Sequence, residues 1–204
     1  MSVKLRRTCL LSAALIASQA LTWAALAQQT EESRPSQSTI DRGTPTDMTR
    51  TQHSATSKTV SPQAFATQAA VIGKAEVELG QLAVQKSQDK DVQAYAQRMV
   101  KDHQAAAAKL EKIAGQENLT LPKSLDAEHQ ALKEKLSGLQ GAAFDRAYAK
   151  AMAKGHDKAV ALFESASQAP QMTPQLKEFA AATLPTLKEH KEMAHDLHAK
   201  EEGA

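Results

Sequence analysis

The chain has 204 residues, 42% of them hydrophobic but only 3% aromatic, which suits one globular domain with appended segments rather than two full domains. A core so poor in aromatics is built from Leu, Val, Ile, Met and Ala, which favours close-packed helices over a β-sandwich. Its 25 basic and 23 acidic residues give no basic excess of the kind that marks a nucleic-acid partner.

At the N-terminus, Lys4, Arg6 and Arg7 precede a largely apolar run from Cys9 to Leu26 that closes on Ala25-Leu26-Ala27, a small-x-small cleavage pattern. Residues 1–27 therefore read as a signal peptide cleaved after Ala27, with the mature protein in the periplasm or outer envelope. An uncleaved membrane anchor is the alternative. Against it, Ser12, Ser18, Gln19 and Thr22 interrupt a run of marginal length for a bilayer span. Arg6-Arg7 would also suit a weak twin-arginine signal, although ordinary positive charge in a signal peptide is the favoured reading. Cys9 is the only cysteine and leaves with this segment, so the mature chain has no disulfide, no thiol nucleophile and no thiolate ligand.

Residues 28–60 read as a disordered linker. From Gln28 to about Thr59 the chain is Ser, Thr, Gln, Asp, Glu, Arg and Pro, with Ile40 and Met48 nearly its only large apolar residues. Such a stretch buries too little surface to offset its ordering entropy. A tether toward the cell wall or membrane is the role it suggests.

Residues 61–200 read as one antiparallel four-helix bundle. Ser61-Pro62 supplies an N-cap and a first-turn proline, and Phe65, Ala69, Ile72, Glu76, Leu79 and Ala83 then form one buried stripe running to about Lys86. After Asp89, a second helix carries Val92, Ala96, Met99, His103, Ala106, Leu110 and Ile113, with Gly115 expected near its C-cap. The connection from Gln116 to Gln140 breaks at Leu121-Pro122 and then holds a short amphipathic helix with Leu125, His129, Leu132, Leu136 and Leu139, closed by Gly138 and Gly141. A third long helix places Ala149, Met152, His156, Ala159, Phe163 and Ala166 on one face, with Pro170 just past its end. The fourth begins at Thr173-Pro174 and buries Leu176, Ala180, Thr183, Leu187, His190, Ala194 and Leu197, with a kink expected at Pro185.

Each long helix thus contributes one ionisable residue to an apolar stripe: Glu76, His103, His156 and His190. Counted from the interhelical turns, Glu76 and His103 differ in height by roughly 4–5 Å and the other two by roughly 6 Å, so all four could meet in the core. Three imidazoles and a carboxylate make a reasonable ligand set for iron, zinc or copper. A ferritin-type di-iron centre fits less well. It requires Glu-x-x-His on two helices, whereas Val100, Ala153 and Leu187 stand three residues before the histidines. The competing reading is a hydrogen-bonded Glu/His layer that fixes helix register without any ion. Tyr95 and Tyr148 read as core or rim tyrosines, or as hydrogen-bond donors behind the ligands. His195 and His198 read as solvated, with a surface metal tract as the alternative.

Two of the helices echo one another. Tyr95, Ala96, Met99, Lys101 and His103 recur in register as Tyr148, Ala149, Met152, Lys154 and His156. Either these helices line one site in equivalent ways or alanine-rich helices have converged on one pattern.

The Ala-Glu-Val-Glu-Leu-Gly core of Phe65 to Leu79, Met99-Val100-Lys101-Asp102-His103, His129-Gln130-Ala131-Leu132, Phe144-Asp145-Arg146-Ala147-Tyr148, His156 to Glu164 and Thr183-Leu184-Pro185-Thr186-Leu187 before His190 together resemble the domain of unknown function 4142 family. The resemblance spans about Pro62 to Leu197. It implies an exported ferritin-like bundle, often labelled an outer-membrane protein, with no established activity. It also tips the long connection toward a crossover along the bundle rather than a cap at its end. The sequence departs from the family pattern at Gly155, where an Asp before His156 is expected by analogy with Asp102-His103. Asp157 is the candidate substitute.

Three function classes follow: a metal-binding or oxidative-stress protein, a structural or envelope-stress module, and a hydrolase or transferase. The last lacks any Gly-x-Ser-x-Gly or Ser/His/Asp arrangement, so an enzyme is the least favoured class. N-terminal sequencing of the mature protein is expected to begin at Gln28. Retention of residues 1–27 in a membrane-bound product would overturn the export reading.

Overall fold

The computed structural model describes residues 60–203; the expected signal peptide and the linker up to residue 59 lie outside them. Five helices follow in order: α1 (Pro62–Lys86), α2 (Lys90–Glu117), α3 (Ala127–Ser137), α4 (Gly141–Gln168) and α5 (Pro174–Gly203). The domain is all-α, a four-helix bundle of α1, α2, α4 and α5 with α3 as the short extra helix. No helix among the described residues is long and apolar enough to cross a membrane.

Four of the five helix starts are those the cap residues specify, whereas α4 begins at Gly141, expected to close α3, behind a Gln140 that makes no side-chain cap bond. The Ser61 hydroxyl accepts from the Ala64 N–H, the Asp89 carboxylate from Asp91 and Val92, and the Asp126 carboxylate from His129. Thr173 does the same for Leu176. One stop differs from expectation. Gly115 lies inside α2, and the helix ends at Asn118, whose φ of 55° closes it in the left-handed conformation that Asn tolerates better than most residues. Helix α5 continues through Pro185.

Side-chain contacts fix the topology. Gln63, at the start of α1, exchanges hydrogen bonds with the backbone of Thr120 just past α2, and Phe65 packs on Phe163 and Phe179. The α1 N-terminus, α2 C-terminus, α4 C-terminus and α5 N-terminus therefore share one end of the bundle. At the opposite end, Lys86 donates to the carbonyl of Ser137, and Lys200 pairs with Asp89 and Asp91. Residues 118–140 consequently run the length of the bundle beside α1 and α4, held on the way by Lys133–Glu78 and Lys158–Glu128. This is the ferritin-like crossover. It makes α2 and α4 parallel while every adjacent pair of long helices is antiparallel.

The core comes in two apolar clusters. Phe65, Leu110, Phe163, Leu176 and Phe179 build the one nearest the α1 N-terminus. Leu79, Met99, Phe144, Tyr148 and Met152 build the other. On each long helix the ionisable residue falls between the two: Glu76 between Ala69 and Leu79, His103 between Met99 and Leu110, His156 between Met152 and Ala159, and His190 between Leu187 and Ala194. A polar layer thus crosses the bundle at mid-height.

Helices α1 and α2 approach closely at Gly80. A Cβ there would lie 2.8 Å from Val100 Cγ2 and 3.1 Å from the Ala96 carbonyl oxygen. Replacing a mid-helix glycine by alanine ordinarily gains about 1 kcal/mol. Here the added methyl meets a stiff β-branched side chain and backbone, and overpacking of this kind costs ~1–3 kcal/mol. Gly80→Ala is therefore expected to lower the denaturant midpoint; an unchanged or raised midpoint would contradict the close packing.

Candidate metal centre

Four ionisable side chains are withdrawn from water in the mid-height layer: Glu76 and His103 are 5% exposed, His156 and His190 1%. Heptad-like spacing puts each on its helix's inner face, and the crossover brings His103 of α2 and His156 of α4 to the same height on a parallel diagonal pair. The three imidazoles form a nearly equilateral triangle, with ring centroids 5.5–5.7 Å apart. One ring nitrogen from each lies within 4.8 Å of those of the other two.

Hydrogen bonding fixes which nitrogens are free. His156 Nδ1 lies 3.0 Å from the Met152 carbonyl oxygen, and a carbonyl only accepts, so Nδ1 carries the proton and Nε2 is left with a bare lone pair. His190 Nε2 lies 2.9 Å from Asp102 Oδ2. Burial opposes the charge on Asp102, but hydrogen bonds from His190 and Arg98 outweigh it and hold its carboxyl below the usual range. The ionised carboxylate accepts from His190 Nε2–H and leaves Nδ1 bare. His156 Nε2, His190 Nδ1 and His103 Nε2 are all buried with no hydrogen-bond partner in the protein. Burial, reinforced by the neighbouring imidazoles, pulls His103 down to about 3, so it is neutral at pH 7.

Glu76 stands apart from this triangle. Its Oε1 lies 3.8 Å from His156 Nδ1, the nitrogen already given to Met152, and its Oε2 has no partner. Burial pushes its carboxyl above the usual range, against the opposing pull of His156. Tyr95 Oη lies 3.4 Å from the same Nδ1, and the Tyr95 and Tyr148 rings meet edge-on with centroids 6.2 Å apart. Burial raises both phenols further from ionisation. Three of the four residues expected to converge therefore do so, while Glu76 backs one of them.

The geometry suits a transition-metal ion. A point equidistant from three atoms 4.8 Å apart is about 2.8 Å from each, against ~2.0–2.1 Å for a metal–imidazole bond, so each ring need move in by less than ~1 Å. The partners behind His190 and His156, a carboxylate and a backbone carbonyl, are those that orient metal-bound imidazoles in general.

The family model "Domain of unknown function (DUF4142)" matches residues 47–197. The chain belongs to this family. Two solved structures share the fold of the DUF4142 domain. A DUF305 fragment from Deinococcus radiodurans has a TM-score of 0.61 at 17% identity, covering 69% of this chain and 98% of that one. A DUF305 protein from Streptomyces coelicolor has a TM-score of 0.58 at 18% identity, covering 69% and 92%. No curated protein matches the chain.

Within the DUF4142 domain, Gly155 faces Glu76: a Cβ there would stand 3.4 Å from Glu76 Oε1. An aspartate at 155 would set a second carboxyl against the first in a dry core. Asp157 does not replace it, because its carboxylate lies near the surface with Lys191 and His195. The role of Asp102 toward His190, on a different helix, had only its adjacency to His103 as a signal, and the role of the Met152 carbonyl had none. His129 is bound up in the α3 cap, with Nδ1 2.7 Å from Asp126. His195 is exposed, whereas His198 is half-buried, with Nε2 3.5 Å from Glu202.

Proposed function

We propose that this DUF4142 domain binds one divalent transition-metal ion, iron, zinc or copper, through His103, His156 and His190, with Glu76 behind His156 as an outer carboxylate. The observation that carries the reading is that three buried imidazoles each bring a ring nitrogen within 4.8 Å of the other two and each keep a buried ring nitrogen without a partner, two of them with the opposite nitrogen tied to an acceptor. A layer serving only to fix helix register would place donors against acceptors among these rings. The bare lone pairs of His156 Nε2 and His190 Nδ1 lack both solvation and a donor, and a cation shared with His103 is what satisfies them together. The ligand set is all nitrogen, so it has neither the thiolates of a structural zinc site nor the bridging carboxylates of a di-iron site.

The export reading supplies the setting. Cleavage after Ala27 would release the protein to the periplasm or outer envelope, with residues 28–60 as the tether, and metal handling or an oxidative-stress role there is the function the site best serves.

Protein purified without chelators is expected to carry one metal ion per chain. The appropriate ion should raise its stability over the chelated form by about 2.7 kcal/mol at a hundredfold excess over Kd. His103→Ala should lose most of that gain, and Asp102→Ala should weaken affinity ~10–100-fold by removing the acceptor that orients the His190 ring. Melting curves that coincide with iron, zinc, copper, manganese and chelator, in protein free of stoichiometric metal, would refute the proposal.

A further inference from the structure

Among the described residues the bundle consists of two helix hairpins, α1–α2 and α4–α5, each in close contact within itself and touching the other less. Residues 118–140 run beside the α1/α4 seam. No such segment of the described chain covers the α2/α5 seam, which polar side chains span instead. Arg98 of α2 reaches Glu189 Oε2 at 2.6 Å and Met193 Sδ at 3.4 Å on α5, Asp102 accepts from His190, and Lys200 pairs with Asp89 and Asp91.

Part of this seam stands open. A hollow of about 540 Å³ is lined by Asp91, Tyr95 and Arg98 of α2 and by Met193, Asp196 and Leu197 of α5. Toward the histidine layer its last lining residues are Arg98 and Met193, which touch each other. Further along the same two helices stand His103 and His190, one on each side of the seam, with ring centroids 5.5 Å apart. The unpartnered ring nitrogens are closed to solvent, so an ion reaches them only when some seam parts. A second hollow, between α1 and α2, borders His103 alone of the three histidines. The α2/α5 seam has a converging histidine on each side and, unlike α4–α5, joins two hairpins rather than packing within one.

We propose that metal ions reach the histidine triangle from the Tyr95 hollow, through the α2/α5 seam, and that Arg98 is the latch across their path. The inference rests on the metal reading above. Arg98 and Glu189 are 40% and 59% exposed, so their pair is solvated and screened, suited to opening and reclosing. Asp89 and Asp91 neutralise Lys200, and Asp102 and Glu189 neutralise Arg98, so the exposed carboxylate of Asp196 leaves the hollow favourable to a cation.

The test is rapid mixing of chelated protein with cobalt(II) or copper(II), followed by visible absorption, and release of the bound ion into excess EDTA. Loss of a latch speeds passage both ways. Arg98→Met, which keeps the stem and loses the bridge, is therefore expected to take up and release the ion at least threefold faster, with Kd changed less than either rate. Removing only a positive charge near the ion would speed uptake and slow release, and removing only a support for Asp102 would speed release alone. Ala94→Trp, which fills this hollow, should slow uptake threefold or more, and Ala107→Trp, which fills the one between α1 and α2, should not. Unchanged rates or either of those other patterns in Arg98→Met, or uptake that Ala94→Trp does not slow or that Ala107→Trp slows as much, overturns this inference and leaves the metal reading standing. Protein that takes up neither ion overturns both.

Discussion

The constraint on which the rest of the bundle depends is the desolvation of four ionisable side chains in one layer. Taking an imidazole or a carboxyl out of water costs free energy unless its polar atoms find partners, and leaving one unmade hydrogen bond costs about 1–3 kcal/mol. The layer answers this cost only in part. Asp102 takes the His190 Nε2–H and the Met152 carbonyl takes the His156 Nδ1–H, while one buried nitrogen of each imidazole remains without a partner. The layer also parts the apolar core into two clusters that share no residue. A helix bundle this poor in aromatics gives up core continuity to hold that layer, and cation binding is the compensation its geometry supports.

The crossover is what makes the layer level. By carrying the chain back along α1 and α4, residues 118–140 set α2 and α4 parallel and diagonal, so residues at matching positions along them stand at matching heights. The echo between Tyr95–His103 and Tyr148–His156 is the consequence in sequence: Tyr meets Tyr and His meets His across the axis. The equivalence is not complete. His156 leans on its own helix's carbonyl, whereas Asp102, beside His103, serves His190 of α5. Gly155, at the position matching Asp102, instead gives room to Glu76.

Most of the fold was legible because it rests on local chemistry. The stripes at spacings of three and four, Ser61-Pro62, Asp89 and Thr173-Pro174 each specify a helix face or a helix start without reference to the rest of the chain. The true end of α2 at Asn118 was obscured because Gly115 offered a stronger nominal stop, although nothing in its surroundings makes it end the helix. Within the site, the four core residues stood out as exceptions to an apolar pattern, and chain counting gave their rough height. Rotation about each helix axis was beyond that counting. It is rotation that turns three rings toward one another and leaves Glu76 behind His156, and tautomer choice depends on the Met152 carbonyl one turn back on the same helix and on Asp102, which reaches from α2 to α5.

The central claim is that the three facing nitrogens form one coordination sphere. X-ray absorption at the edge of the metal that copurifies with the protein tests it most directly. The account predicts a first shell containing three nitrogen donors at ~2.0–2.1 Å with the outer-shell scattering of imidazole rings, reduced by one ring in His103→Ala. A shell of oxygen donors alone, or one unchanged by the loss of His103, would contradict it.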